Sequence, residues 1–403
     1  MKSHSSRRNF LAAGLALPLA GASATTGSPS PEPAPLQAPS SSGKVTYRLL
    51  GKTGFKVSAV GCGCGSTQDQ SVIRMAAELG INYFDTHRAY LGGQSERMIR
   101  AGLGGRRKEV YLSSKTDGHD KAGALKELEI SLKEFGTDYL DVWQLHGVDT
   151  PEALSDELVD AMHTAKQQGK ARAIGVGTHQ LPKLADRVIE ARLDVVSTAY
   201  NFTMDPKWIQ ANSGRPGTFW SGVYSEDMIE ATETLSKAGV GLVALKVMAG
   251  GMRGRNPTPQ MRRPNASAAA IKWVLRNPLI ATVIPGMADM DQVAANFKVM
   301  GEPFTPADER VLAARLEEIR FRYCRMCGHC DGQCPKGLPV RNVLRYLMYA
   351  DDYGQFAMGR EHFLALPPEH QAVRCNQCPT CAIECPNGVR VAERLVRAQE
   401  LFA

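Results

Sequence analysis

Two matching cysteine runs constrain this chain more than any other feature. Cys324-x2-Cys327-x2-Cys330-x3-Cys334 is followed by Pro335, and Cys375-x2-Cys378-x2-Cys381-x3-Cys385 by Pro386. Thiolates in this three-plus-one pattern wrap an iron–sulfur cubane, and two full copies predict two 4Fe–4S clusters. Structural zinc sites lack that spacing. Disulfides are the rival reading in an oxidising compartment, but they give no reason for two identical runs. Between the runs, Val340 to Met348 carries helical spacing, and Pro306–Arg320 reads as a further helix. A small, mostly α-helical cluster domain is therefore expected over residues 304–403.

The 403 residues are too many for one ordinary domain. Ahead of the cysteines, short apolar runs alternate with helical patterns. The runs lie at 59–65, 82–85, 110–114, 140–145, 172–176, 194–199, 241–246 and 281–284; helical spacing covers Ser71–Leu79, Gly93–Leu103, Lys121–Phe135 and Pro151–Gln168. Short apolar runs suit a buried parallel sheet. Eight of them with helices between close most economically into a (β/α)8 TIM barrel, an α/β fold, over residues 44–303. Cys62 and Cys64 stand two apart on the first strand and read as small packing residues.

Three consecutive strands end on residues that can move a proton. The strand at 82–85 stops at Asp85, and its loop presents Tyr90; the next ends at Lys115, and the third at His146. In such a barrel these ends open onto one face, where active sites are built. A tyrosine with a pKa near ~10 is a poor acid at neutral pH. A cationic Lys115 beside it favours the phenolate and lowers that pKa. Asp85 would hold Lys115, and His146 would hydrogen-bond a carbonyl oxygen. The four would protonate a developing alkoxide as hydride arrives, or run the reverse.

From about Tyr47 to Phe297 the chain resembles the aldo-keto reductase superfamily. The opening hairpin Tyr47–Ser58, the Ser95-Glu96 after Tyr90, and Asp85, Tyr90, Lys115 and His146 in family order carry the resemblance. It implies a nicotinamide-dependent oxidoreductase, but the cofactor loops depart from the family pattern. The amide-binding pair falls on Gly177-Thr178, the glutamine on Ser197, and the stacking aromatic on Leu245, followed by Lys246. The phosphate-end Lys, Arg and Glu fall on Gly286, Gln292 and Ala295, while Ile284, Pro285 and Asn296 remain. Thr178, Ser197, Lys246, Gly286 and Asn296 are thus the expected NAD or NADP contacts. Loss of the Lys and Arg that grip a 2′-phosphate weighs NAD above NADP. Lys246 either approaches a phosphate or is solvated.

The cysteine runs also resemble two-cluster ferredoxins of the α-helical type. That implies crossed ligation: Cys324, Cys327 and Cys330 with Cys385, and Cys375, Cys378 and Cys381 with Cys334. Barrel and cysteine runs together resemble a recognisable subgroup of the superfamily.

At the N-terminus, Ser6-Arg7-Arg8-Asn9-Phe10-Leu11, the weakly apolar Ala12–Ala20 and Ala22-Ser23-Ala24 resemble a Tat export signal over residues 1–24. Residues 25–43 read as a flexible linker. The apolar run is too short for a stable membrane anchor. The Tat machinery exports folded proteins, which suits clusters assembled beforehand, and the expected location is periplasmic or extracellular. The net charge of +7 falls to +4 without residues 1–24, which hold Lys2, Arg7 and Arg8 and no acid. No basic block argues for nucleic acid. A polar loop at Lys207–Tyr224, with Trp208, Phe219, Trp220 and Tyr224, either shapes substrate access or packs.

Three functions fit these observations. One is an exported oxidoreductase acting on a small-molecule carbonyl or alcohol, with Tyr90 as acid/base. The second is an electron-transfer protein whose clusters serve a redox partner protein and whose barrel binds a ligand. The third is a barrel whose clusters only staple a C-terminal lid.

Overall fold

A computed structural model describes residues 44–208, 223–250 and 266–403. The export segment and linker expected at 1–43, and the stretch 209–222 with Phe219 and Trp220, lie outside the described residues.

Strands β1 (Tyr47–Leu49) and β2 (Lys56–Ser58) pair as an antiparallel hairpin. Eight parallel strands follow: β3 (Cys62–Gly63), β4 (Tyr83–Asp85), β5 (Tyr111–Thr116), β6 (Leu140–Leu145), β7 (Ala171–Thr178), β8 (Val195–Ala199), β9 (Gly241–Leu245) and β10 (Ile280–Val283). Each pairs with the next in sequence. The edges meet: the Gly61 N–H donates to the Val283 carbonyl at 2.8 Å, and the Val283 N–H to that of Ala59 at 3.0 Å. Every residue of β4, β6 and β8 is buried, as a sheet covered on both faces requires.

Helix limits follow the caps. Lys121–Phe135 starts where the Asp120 carboxylate accepts the Gly123 N–H at 2.6 Å, and stops at left-handed Gly136. The helical pattern at 151–168 yields a helix only from Asp156 to Gln167, because Ser155 caps it by accepting from Leu158 N–H. β5 runs one residue past the expected end, since its ladder with β6 continues through Lys115↔Gln144 and Thr116↔Leu145. Trp208 is buried in the core and Tyr224 belongs to the helix Val223–Ala238, so neither belongs to an open loop.

The barrel interior changes character along its axis. At the end where the strands begin, the hairpin's Leu50, Phe55 and Val57 pack with Tyr83, Val142, Ala173, Val195, Val243 and Ala281. Gly241 admits this plug: a Cβ there would stand 2.7 Å from the Leu50 side chain. Two residues further along the alternating strands, buried Asp85, Ser113, Lys115, Gln144 and Ser197 line the interior. Cys62 and Cys64 are both buried with their sulfurs 3.7 Å apart, as packing residues would be.

After β10 the described residues contain helices and no strand. Pro306–Ile319 opens with a Thr305–Asp308 capping box, and Val340–Asp351, Phe356–Leu364, Pro368–Ala372 and Val391–Phe402 follow. Val343, Leu347, Phe363, Leu395 and Phe402 form their own core, with Cys324, Cys330, Cys334, Cys375, Cys381 and Cys385 against its edge. Barrel and helical region together form one compact unit. No described helix is long and apolar enough to cross a membrane.

Candidate active site

The ends of β4, β5 and β6 bring their polar residues together. Lys115 donates to the Asp85 carboxylate and, at 3.0 Å, to the Thr86 carbonyl; both side chains of the pair are almost fully buried. The Ser113 hydroxyl adds a 2.8 Å bond to Asp85 and accepts from Gln144 at 2.9 Å. A buried ion pair is tolerable only when its remaining hydrogen-bonding positions are satisfied in this way.

The loop that carries Tyr90 is clamped from beneath. Glu96 is fully buried, pairs with Arg88 and accepts from Ser114 at 2.7 Å. Thr86 and Ser95 hydroxyls meet at 2.6 Å. The loop turns back through left-handed Leu91, Gly92 and Gly93. Gly65 lies against the Tyr90 ring, where a Cβ would come within 3.0 Å of it. Tyr90 sets its ring edge-on to His87, with centroids 5.0 Å apart, and edge-on to His146 at 6.2 Å.

Two sequence expectations change. Tyr90 is not drawn toward the phenolate: burial first, then Tyr349, Asp85 and Asp117, push its pKa up. The Lys115 ammonium is committed to Asp85. His146 is likewise engaged, its Nδ1 3.0 Å from the Asp117 carboxylate. Burial and neighbouring His87 lower its pKa to about 3, so the ring is neutral. A neutral ring that donates from Nδ1 keeps Nε2 bare, and a bare nitrogen cannot donate to a carbonyl. Asp117 also meets His87 Nε2 at 2.8 Å. Burial opposes its ionisation, but the two imidazoles against it win and hold it well below the usual carboxylate range.

The helical region covers this mouth, as a C-terminal lid would, through contacts the sequence did not reveal. Gln355 donates to the Gly65 carbonyl at 3.1 Å, Asn201 to the Tyr323 hydroxyl at 2.9 Å, and Gln180 to the Met326 carbonyl. Arg345 approaches Asp149 at 3.5 Å and His179 at 3.3 Å. Lys246, just past β9 with positive φ, lies 4.9 Å over the Tyr349 ring and 5.4 Å over Tyr353. It is therefore part-buried against these rings and reaches a phosphate only if that contact opens. Arg341, Arg345 and Tyr349 recur every four residues on one helix face, the one signal that would have found them.

The other expected cofactor contacts sit around the remaining strands. Thr178 ends β7 and donates to Asp149 at 3.3 Å. Ser197 is buried two residues before the end of β8, Gly286 follows β10, and Asn296 is buried on the helix Met290–Lys298. Ser197 Oγ and Gln144 Oε1 are buried without a hydrogen-bond partner among the described residues. Such atoms fit the polar edge of a bound ring.

The eight cysteines of the two runs are free and half-buried. Cys324 feels Cys330, Cys327 and Cys385; Cys375 feels Cys378, Cys334 and Cys381. These are the neighbours that crossed ligation would need. Burial, then neighbouring Asp331 and Cys327, push Cys330 up to about 11. Buried thiols that repel one another as anions suit a cationic iron–sulfur centre, and bonds from Met326 N–H to Cys324 and from Asn387 to Cys327 support the sulfurs.

Comparison with known proteins agrees with both halves. The profile of the "Aldo/keto reductase family" matches residues 65–269, and that of the "4Fe-4S dicluster domain" residues 323–389. L-galactose dehydrogenase of Arabidopsis thaliana is 26% identical over 303 residues, covering 64% of this chain and 89% of that protein. The uncharacterized oxidoreductase YqkF of Bacillus subtilis is 26% identical over 280 residues, covering 62% and 90%. The holo form of aldo-keto reductase AKR11C1 from Bacillus halodurans shares the fold, with a TM-score of 0.54 and 23% identity over 67% of this chain and 96% of that one.

Proposed function

Because the chain belongs to the aldo/keto reductase family and carries a C-terminal 4Fe–4S dicluster domain, we propose that it is an exported oxidoreductase interconverting a small-molecule carbonyl and an alcohol. The observation that carries this reading is the buried Lys115–Asp85 pair set at the strand ends that also hold Tyr90 and His146.

Tyr90 is the acid/base. Its raised pKa keeps the proton on the phenol at rest. The proton leaves when an alkoxide develops within reach, and it returns to the phenolate in the oxidising direction. Lys115, held by Asp85 and the Thr86 carbonyl, offers fixed positive charge to that phenolate. When bound there, a nicotinamide, NAD in preference to NADP, would supply or accept the hydride. Ser197, Thr178, Gly286 and Asn296 would hold it, and Lys246 would contribute once its contact with Tyr349 opens. The covering helices exclude water from the site. The name of the Arabidopsis relative makes a sugar a natural first substrate class to screen. Localisation outside the cytoplasm rests on the Tat-type segment alone.

The test uses anaerobically purified protein, 4-deuterated NADH and a panel of aldoses and small ketones. Wild type should place deuterium on the former carbonyl carbon. Tyr90→Phe should lose roughly 10²-fold or more of that transfer with cluster absorbance unchanged. Equal rates in both proteins would remove Tyr90 from the chemistry.

A further inference from the structure

We propose that His87, Asp117 and His146 form a binding site for a divalent first-row transition cation at the barrel mouth. This deepens the preceding reading and rests on the same mouth being the reacting one.

The three donors follow the ends of three consecutive strands, β4, β5 and β6. A rigid barrel therefore fixes their spacing, as a preorganised site needs. Their ligand atoms all lie within 4.8 Å of one another, with His87 Nε2 at 2.8 Å and His146 Nδ1 at 3.0 Å from the two Asp117 oxygens. Metal bonds of about 2.0–2.2 Å set tetrahedral donors roughly 3.4 Å apart, so small side-chain shifts suffice. The imidazole rings lean together with centroids 4.1 Å apart. Two imidazoles and one carboxylate suit zinc, iron, cobalt or nickel, and leave open positions. Asp117 is about half exposed, which gives an entry path.

A hydrogen-bonded triad leaves two features unexplained. His87 is 3% exposed, yet its Nε2 makes no aligned hydrogen bond, although Asp117 stands 2.8 Å away. The distance is that of a contact, while the direction is wrong for an N–H donor. His146 Nδ1 also faces Asp117 at 3.0 Å, and a ring proton held there would leave Nε2 unable to donate to a substrate. A cation bound at His87 Nε2, Asp117 and His146 Nδ1 resolves both. It takes the lone pairs of the two facing nitrogens and leaves each ring proton on the opposite nitrogen. His146 Nε2–H then becomes a donor that can meet a carbonyl oxygen. Second-shell groups commonly fix the tautomer of metal-bound histidines; here the cation would fix it for the substrate.

The measurement is elemental analysis of untagged, anaerobically purified protein, together with acid-labile sulfide. Sulfide counts the cluster iron, since each cubane holds equal iron and sulfide. Wild type should carry about one further first-row divalent ion per chain. His87→Ala and the milder Asp117→Asn should lack that ion and, compared with wild type dialysed free of it, bind added zinc chloride at least roughly tenfold more weakly by calorimetry, with sulfide unchanged. Hydrogen bonding alone predicts no extra ion and identical zinc titrations for wild type and both variants, which would overturn the site. Protein that holds the ion but transfers no hydride would instead count against the proposed function. Hydride transfer by metal-free protein would count against the cation alone.

Discussion

At the scale of single residues, the chemistry depends on how burial competes with pairing. Asp85, Tyr90, Lys115 and His146 were legible because each closes or follows a strand whose apolar run is plain. Their protonation was not legible. Lys115 pairs with Asp85 as expected, but Tyr90 is set by burial and by Tyr349, which lies far along the chain. Histidines show the consequence for pH. Burial lowers His146 to about 3 and His179 to about 4, below their ordinary value. Between pH ~6.5 and ~4 the unfolded chain binds more protons than the folded one, so stability should fall as pH drops through that window. Urea midpoints at pH 7 and pH 5 would show it, and His179→Gln should flatten the difference; equal midpoints for wild type would show that the rings are charged in the fold.

At the scale of elements, the sequence placed strands and helices well where an apolar period met a cap. Lys121–Phe135 has Asp120 at one end and Gly136 at the other. It placed them less well where tertiary pairing decided, as at β5, whose ladder with β6 carries Lys115 inside the strand. The loop from Thr86 to Gln94 is held by Glu96, whose partners are Arg88 and Ser114. Glu96→Gln keeps the shape but weakens the hold on Arg88. Turnover should fall by about 10²-fold if Tyr90 moves by the order of 1 Å, with cluster content unchanged. Full activity in that variant would show that the loop holds its shape without the ion pair.

At the scale of the molecule, the barrel mouth and the cluster region are one structure. Gln355 reaches Gly65 and Tyr323 meets Asn201 across long stretches of chain, contacts that no local pattern could announce. The cysteine spacing announced the clusters but not where their helices would rest. Cys324→Ser should therefore do more than remove one cluster. It should open residues 323–389 to limited proteolysis while the barrel survives, and raise the KM for substrate. A protease pattern identical to wild type would mean that the cover stands without that cluster.

In the proposed function a nicotinamide works beneath an iron–sulfur cover. Protein purified anaerobically, with its cluster absorbance recorded, would be heat-denatured and the supernatant assayed for NAD and NADP; a parallel sample would be titrated with NADH by fluorescence. Released NAD or saturable uptake of NADH beside intact clusters is expected. Intact clusters with no nicotinamide released and none taken up would contradict it, and would leave the barrel as a ligand-binding partner of an electron-transfer module.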